Sequence, residues 1–519
     1  MSAVAAVPAS APVNKWLVAT SVGFGSLMAT IDSSIVNVAL PNIRGELGAS
    51  IQEITWISTA YMIAMVLIMP LTGFLGGLFG QKRVYLTAMV LFVAGSALCG
   101  TARTLPMLVF YRVLQGFGGG ALQPTQQAIL RTTFPPAEQG MAMAMFTMVI
   151  MVGPAVGPLL GGWITDNYTW PWIFYINVPI GVMGILMTIQ NVHEPEDVRA
   201  ASRVRAELQR RHLDIAGIVF MVVGCAALEY FFEEGARNDW FDSLEIRIAA
   251  FVGAAALVAF TIRELTATAP VVNLRLFADP TFASATTIAF VMYGMLMGTM
   301  FLLPVFAQES LHYTATLSGV VLLPRTIAMM ICSPIIGRLY NRVHPAVLIG
   351  FGVLLFAIGT YRLSHVSLDT SSSDLIVPLA VTGAGFAFLF VPLTTIALSA
   401  MPRHLMGDAA GLNSFIRQIG GSVGLIIFAT LFDHFAVEAY TAVSSHMTVL
   451  RPEVASQLTT TQLPVLYSRA VAQSKVLGFD RLFLLQGVLF VAVIPLLFVL
   501  RRKPAGAGDP AEHIDVAID

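Results

Sequence analysis

Long apolar runs, parted by short clusters of charged residues, proline and glycine, fill the chain from Trp16 to Leu500. A helix that crosses a bilayer needs about 20 mostly apolar residues. Fourteen runs meet that length, with limits near 16–40, 52–76, 83–101, 105–128, 140–164, 171–190, 214–232, 246–266, 281–307, 315–338, 345–363, 375–400, 411–432 and 481–500. The third, seventh and eleventh are the shortest. The longest break on one side, HEPEDVRAASRVRAELQRRH, follows the sixth run; the longest on the other, polar and amphipathic, covers 433–480. The pattern predicts an all-α polytopic membrane protein with 14 transmembrane helices. Its expected parts are a tail over 1–13, a six-helix bundle over 14–190, a loop over 191–213 and a two-helix insert over 214–266. A second six-helix bundle over 280–500 and a tail over 501–519 complete it.

Composition points to the same solvent. Of 519 residues, 56% are hydrophobic and only 11% charged, with a mean hydropathy of +0.77. Soluble domains carry about 25% charged residues, so so much apolar surface is matched to lipid. A net charge of −1 leaves no basic footprint for nucleic acid. Cys99, Cys225 and Cys332 are dispersed in apolar runs, which fits neither a disulfide framework nor a zinc site. The nine histidines fall in loops, at helix ends or in the tail. The uncharged start, MSAVAAVPASAPVN, has its small residues before the first apolar run, whereas a signal peptide is cleaved after its apolar region. The run starting at Trp16 is therefore expected to remain as a span.

Lysine and arginine set the expected orientation. If the N-terminus is cytoplasmic, seventeen of the 29 lie in inner segments and nine in outer ones, with Arg112, Arg325 and Arg417 inside spans. Both termini are thus expected in the cytoplasm.

Two inner loops echo each other. GFLGGLFGQKR follows the second span and carries Gly73, Gly77, Gly80, Lys82 and Arg83; GRLYNRVHP follows the tenth and carries Gly337, Asn341 and Arg342. Each stands after the second helix of its half, as duplicated transporter halves require.

These loops are part of a longer series: IDSSIVNVALP (31–41), RVLQGFGGGALQP (112–124), VGPAVGPLLGG (152–162), WPWIFYINVPIG (170–181), LPVFAQESLHYTATLSGVVLLP (303–324) and GLNSFIRQIGGSVG (411–424). In this order and spacing the chain resembles the major facilitator superfamily, and within it the fourteen-span drug:proton antiporter branch of EmrB-type exporters. The resemblance covers essentially 14–500. It implies a proton-coupled exporter of hydrophobic or amphipathic compounds in a bacterial inner membrane, driven by the proton gradient with no cofactor. It also implies partners, a periplasmic adaptor and an outer-membrane channel, for which 433–480 is the candidate contact. Export of one endogenous metabolite, lipid or siderophore is the alternative. A membrane-embedded enzyme would need a catalytic cluster near a span end, and the sequence has no HExxH, matched nucleophile and base, or nucleotide-binding fold.

Physical reasons accompany the motifs. Gly153, Gly157 and Gly161 recur every fourth residue and form one close-packing face. Pro154 and Pro158 remove ladder hydrogen bonds, and the helix is expected to help seal the two halves. GFGGG (116–120) has no preceding strand and no following Lys-Ser/Thr, so Gly116 and Gly120 are expected to pack against a helix and not to bind phosphate. Gly73, Gly80 and Arg83 belong to the expected gating loop. That loop departs from the family pattern, because Gly77 stands where an acid is usual and Asn341 stands there in the second copy.

Charges inside spans mark pathways, since each costs about 2.5–3.5 kcal/mol at a helix centre on insertion scales. Asp32 lies roughly 12 Å from the outer end of its span and Arg112 roughly 10 Å, at about 1.5 Å per residue. Matched depths predict that they face one cavity, with Gln115 on the face of Arg112. Asp32 is the expected proton site and Arg112 its modulator; a static structural pair is the competing expectation. Arg325, near the middle of the tenth span, is a candidate cavity residue for an anionic or amphipathic substrate. Glu229 is a second cavity candidate, although its place near the outer interface suits an ordinary interfacial acid. Arg417, near an inner end, is expected to snorkel. Met292, Met295, Met297 and Met300 make the ninth span Met-rich, a composition suited to adaptable packing.

Overall fold

The computed structural model describes residues 14–194, 214–238, 240–267, 270–311, 313, 315–399, 401–445 and 463–497, with the isolated positions 199, 206, 207 and 209. The tails, most of the 191–213 loop and the centre of the 433–480 segment lie outside the described residues. In lipid every backbone polar group must be satisfied within the chain, and the described residues form helices without strands. The first half comprises α1 (Lys15–Leu47), α2 (Ile51–Ile68), α3 (Leu71–Phe79), α4 (Gln81–Gly100), α5 (Leu105–Thr133), α6 (Gln139–Asn167), α7 (Trp172–Tyr175) and α8 (Asn177–Asn191). The insert is α9 (Ile215–Glu234) and α10 (Leu244–Thr266). The second half comprises α11 (Pro280–Glu309), α12 (Ala315–Val321), α13 (Leu323–Leu339), α14 (Pro345–Leu363), α15 (Ser372–Ser399), α16 (Met406–Ser445), α17 (Leu463–Ala492) and α18 (Ile494–Leu497).

A helix stands at each of the fourteen expected places. Among the described residues, eleven are long and apolar enough to cross a membrane by themselves, and α2 with α3 makes a twelfth bent by 55°. The other two places are special cases. α5 carries Arg112, Gln115, Gln126 and Gln127, buried polar residues that lower its hydropathy, together with the half-buried Gln123. The fourteenth run continues past Leu497, beyond the described residues.

Local chemistry sets the boundaries. Asn14 caps α1 through its side chain, and Gly48 ends it at φ 61. Ser50 and Glu53 form a reciprocal capping box at the start of α2. The bend between α2 and α3 falls at Met69–Pro70, where proline has no N–H to continue the ladder. By contrast, α6 runs unbroken through Pro154 and Pro158.

The two halves repeat one packing scheme. Their first and fifth spans pack closely, α1 on α6 and α11 on α16. Their second and fourth spans pair as α2 with α5 and α13 with α15, and their third and fourth as α4 with α5 and α14 with α15. Contacts between halves are exchanged in the same way: α6 meets α13 and α15, while α16 meets α3 and α5. In the second half the first–fifth contact is made by backbone on backbone. A Cβ on Gly424 would fall 2.5 Å from the Gly294 carbonyl oxygen, and one on Gly294 2.6 Å from that of Gly420.

The segment expected as a long loop over 433–480 is helical in its described outer parts, because α16 continues to Ser445 and α17 begins at Leu463. Its amphipathic pattern is that of two helices laid side by side. Phe479 packs 4.3 Å from Phe432 and 4.5 Å from Phe306, and Arg481 pairs with Glu438 at 2.8 Å.

Gly424→Val should force α11 and α16 apart. Overpacking of this kind costs about 1–3 kcal/mol, so thermal unfolding in detergent should show a lowered midpoint for G424V and an unchanged one for a valine at the open position Gly350.

Candidate functional site

The first half buries a polar cluster contributed by α1, α2, α4, α5 and α8. Three donors surround the Asp32 carboxylate: Arg112 Nη1 at 2.6 Å on one oxygen, and Gln115 Nε2 at 2.8 Å with Asn177 Nδ2 at 3.0 Å on the other. Arg112 also donates through Nε to the Ile57 carbonyl at 3.2 Å and through Nη1 to Gln115 Oε1 at 2.8 Å. Its guanidinium carbon lies 3.9 Å from the centre of the Tyr61 ring, a cation–π contact. Asn177 donates to Ser96 Oγ at 3.0 Å, and Ser96 donates to the Phe174 carbonyl at 2.9 Å. Asp32 is 0% exposed and Arg112 1%.

Small residues make this approach feasible. Gly95 lets α4 lie against the backbone of Gln115, where a Cβ would fall 2.8 Å from its Cα. Gly116 and Gly120 put α5 on α2, with a Cβ on Gly116 falling 2.6 Å from the Tyr61 carbonyl oxygen and one on Gly120 2.7 Å from Met65 Cα. Both glycines are packing positions within a helix.

The structure therefore joins Asp32, Arg112 and Gln115, and adds Asn177 and Ser96. Asn177 was open to sequence reasoning, as a lone amide in the apolar WPWIFYINVPIG. Ser96 was not, because a serine in a span usually bonds its own helix backbone.

The glycines of the fifth span form the expected close-packing face, and their partner is α1. A Cβ on Gly153 would fall 2.6 Å from the Thr30 carbonyl oxygen, one on Gly157 2.8 Å from Ser34 Cβ, and one on Gly161 3.0 Å from Ile35. This face seals α6 to α1 within one half, and Ser34 Oγ donates to the Gly153 carbonyl at 2.9 Å. The half-to-half contact comes from other residues of the same helix: Gly140 abuts Gly337, Pro158 lies near Gly319, and the Phe146 ring stacks 6.4 Å from Phe390.

Bonds between the halves gather toward the end where α1 starts. Arg403 donates to the Thr132 carbonyl at 3.0 Å, Gln127 to Ser414 Oγ at 3.1 Å and Arg417 to Gln123 Oε1 at 3.3 Å. Asn341 donates to the Ala137 carbonyl. The two echoing loops close this end in equivalent ways, Gly337 on the start of α6 and Gly73 on the start of α16. A Cβ on Gly73 would fall 2.6 Å from Asp408 N. Gly80 has φ 89, and the residue after next, Lys82, gives its backbone N–H to Glu194 Oε1 at 2.8 Å. Arg83 is exposed. Gly77 itself offers no carboxylate to this closure.

The remaining candidates stand apart from the Asp32 cluster. Arg325 is fully buried on α13, and among the described residues none of its three guanidinium nitrogens has a hydrogen-bond partner. Glu229 is also buried, unlike an interfacial acid: it accepts from Ser422 Oγ of α16 at 3.0 Å, because α9 packs on α16 and α2. Arg417 does not snorkel. It is 4% exposed and turned into the bundle, 5.1 Å from the Phe390 ring centre and 5.5 Å from that of Tyr293. Met292 and Met295 are core residues, with Met297 and Met300 packed against the same core.

Comparison with known proteins agrees with this architecture. The profile of the Major Facilitator Superfamily matches residues 22–425. The Multidrug export protein EmrB of Haemophilus influenzae is 34% identical over 504 residues, 94% of this chain and 96% of that one. The Fatty acid resistance protein FarB of Neisseria gonorrhoeae is 34% identical over 95% of this chain and 97% of its own. The EmrB of Escherichia coli K12 is 36% identical over 79% of each. Among solved structures, the proton:xylose symporter XylE aligns with a TM-score of 0.59 at 12% identity, covering 93% of this chain and 96% of that one. The human organic anion transporter MFSD10 aligns with a TM-score of 0.58 at 14% identity, covering 92% and 99%. At such identities these two show the fold alone.

Removing one partner of a buried ion pair costs about 3–5 kcal/mol, because the other charge stays buried and unpaired. Arg112→Met should therefore lower the unfolding midpoint sharply, and adding Asp32→Asn should recover most of the loss. The buried thiols Cys99 and Cys225 give the readout, through reaction with a thiol-specific dye on heating. Additive losses in the double variant would mean the two residues are not coupled.

Proposed function

Because the chain belongs to the Major Facilitator Superfamily, we propose that it is a proton-coupled exporter of hydrophobic or amphipathic compounds that works by alternating access. It would sit in a bacterial inner membrane with both termini in the cytoplasm. The observation that carries the proton reading is the Asp32 cluster, a carboxylate inside an apolar bundle held by Arg112, Gln115 and Asn177. Identity of 34–36% to proteins named for multidrug export supports the export reading.

The mechanism follows from what those bonds require. The ionised carboxylate accepts from all three donors, so it ties α1 to α5 and α8. A proton on Asp32 removes the charge that Arg112 neutralises and turns one oxygen into a donor. Arg112 then keeps neutral partners alone, Gln115, the Ile57 carbonyl and the Tyr61 and Phe174 rings, a poor setting for a buried cation. Proton loading thus favours a rearrangement of α1 against α5 and α8. Through Gly153 and Gly157, α1 is packed rigidly on α6, the helix that meets α13 and α15 of the other half. Protonation in one half is in this way linked to the relative position of the two. The closed contacts around Gly73, Gly337, Asn341 and Arg403 are the gate that such a movement opens. Exclusion of substrate until the proton leaves gives antiport.

Export of one endogenous amphiphile is the second reading, favoured by the equal identity to a protein named for fatty acid resistance. A periplasmic adaptor and an outer-membrane channel would be partners in either case. The helical hairpin of α16 and α17, which continues past the bundle, is the proposed adaptor contact.

Reconstitution in liposomes with an imposed pH gradient tests the reading. Wild-type protein should move a lipophilic dye against its gradient, and Asp32→Asn should reduce that movement to the rate of protein-free liposomes while dye binding persists. Full pH-driven efflux by D32N would remove Asp32 from proton coupling.

A further inference from the structure

Arg325 is a charge with no countercharge. Its side chain is 0% exposed, and Nε, Nη1 and Nη2 are all without partners among the described residues. Leaving a buried cation unpaired costs several kcal/mol, so the site is built for something that accepts hydrogen bonds and carries negative charge.

The sequence of the surrounding helices strengthens this. α13 packs on α6 of the first half and on α15 of the second, and α6 and α15 also touch. The backbone of Arg325 lies against Gly383 of α15, where a Cβ would fall 2.8 Å from its carbonyl carbon. Across these three helices the acids are Asp166 and Asp374. Both are exposed at helix ends, and Asp374 is held by Ser371 at 2.7 Å. Gly140 faces Gly337 and Pro158 faces Gly319, so Arg325 is level with about Val152 of α6. Asp166 is fourteen residues further along, about 20 Å away at the helical rise. Neither acid reaches Arg325 without unwinding a helix. Glu229 belongs to the other side of the molecule, against α16.

The buried polar residues next in sequence, Thr326 after Arg325 and Thr382 before Gly383, are neutral hydroxyls. Met329 continues the buried face of Arg325 one turn on, Phe386 and Phe390 stack along α15, and Phe390 stacks with Phe146 of α6. A planar fork of donors on an otherwise largely apolar helix matches a carboxylate on an alkyl or aryl body. We propose that Arg325 is the headgroup site for amphipathic carboxylates, set where the two halves meet, so that the exporter takes monoanionic amphiphiles in preference to neutral ones of the same size. This rests on the exporter reading and narrows it to a substrate class. Bound there, the anion lies between helices of both halves and senses their movement directly.

The probes are decanoate, decanol and decylamine, which share a chain and differ in charge. Binding of radiolabelled decanoate to purified protein at neutral pH is competed by each. A charge-assisted pair on a buried guanidinium should make decanoate at least about tenfold tighter than decanol. Arg325→Gln should bring decanoate to the affinity of decanol, and Arg325→Lys should retain part of the preference. Wild-type protein that binds decanol as tightly as decanoate overturns the proposal by itself, whether or not a variant folds. So does an R325Q protein of native elution profile that keeps the preference. Dye movement without anion preference sinks this inference and leaves the exporter reading. Anion preference lost in R325Q, without pH-driven dye movement, sinks the exporter reading and leaves the site.

Discussion

A charge can be kept in the middle of a lipid-soluble bundle only if the protein replaces the water it has lost. In the first half that replacement is complete on the carboxylate side: Arg112, Gln115 and Asn177 supply Asp32 with donors from two other helices. Much of the local structure follows from this demand. Gly95 is needed so that Gln115 can approach, Gly116 so that α5 can lie on α2, and Tyr61 offers its ring to the guanidinium face. The second half makes no such provision for Arg325. The Asp32 carboxylate is thus fully supplied with donors, whereas the Arg325 guanidinium has no partner on any of its three nitrogens among the described residues.

The architecture was largely legible in the sequence because lipid leaves few choices. Uninterrupted apolar runs must become helices, and all fourteen did so where they are described. Polar residues set inside such runs were equally readable: Asp32 and Arg112 stood at matched depths and are in contact. What was not readable is which face of a helix meets which neighbour. Gly153, Gly157 and Gly161 announce close packing, but their spacing does not name the partner, and the partner is α1 within the same half. Glu229 looked interfacial because its depth was known and its direction was not. The 433–480 segment was amphipathic in sequence, but nothing there showed that its apolar face packs α17 on α16, as Phe479 does on Phe432.

The internal repeat makes the two loops at this end directly comparable. Gly73 and Gly337 occupy equivalent places, each beneath the start of the other half's fifth span. Asn341 adds a side-chain bond across the halves in one copy, and Gly77 adds none in the other. The second loop thus carries a side-chain bond at the position where the first has a glycine, an asymmetry laid over a symmetric frame.

The insert adds a constraint of its own. Ser422 of the second half bonds Glu229 of α9, and Arg237, just beyond that helix, bonds Thr55 of the first half at 2.7 Å. α9 is thus a tether spanning the seam on the side away from the closed contacts. Two six-helix bundles alone could hinge freely about their shared end. Separating the halves along this seam would strain or break one of these two bonds, so helices that belong to neither bundle couple the two.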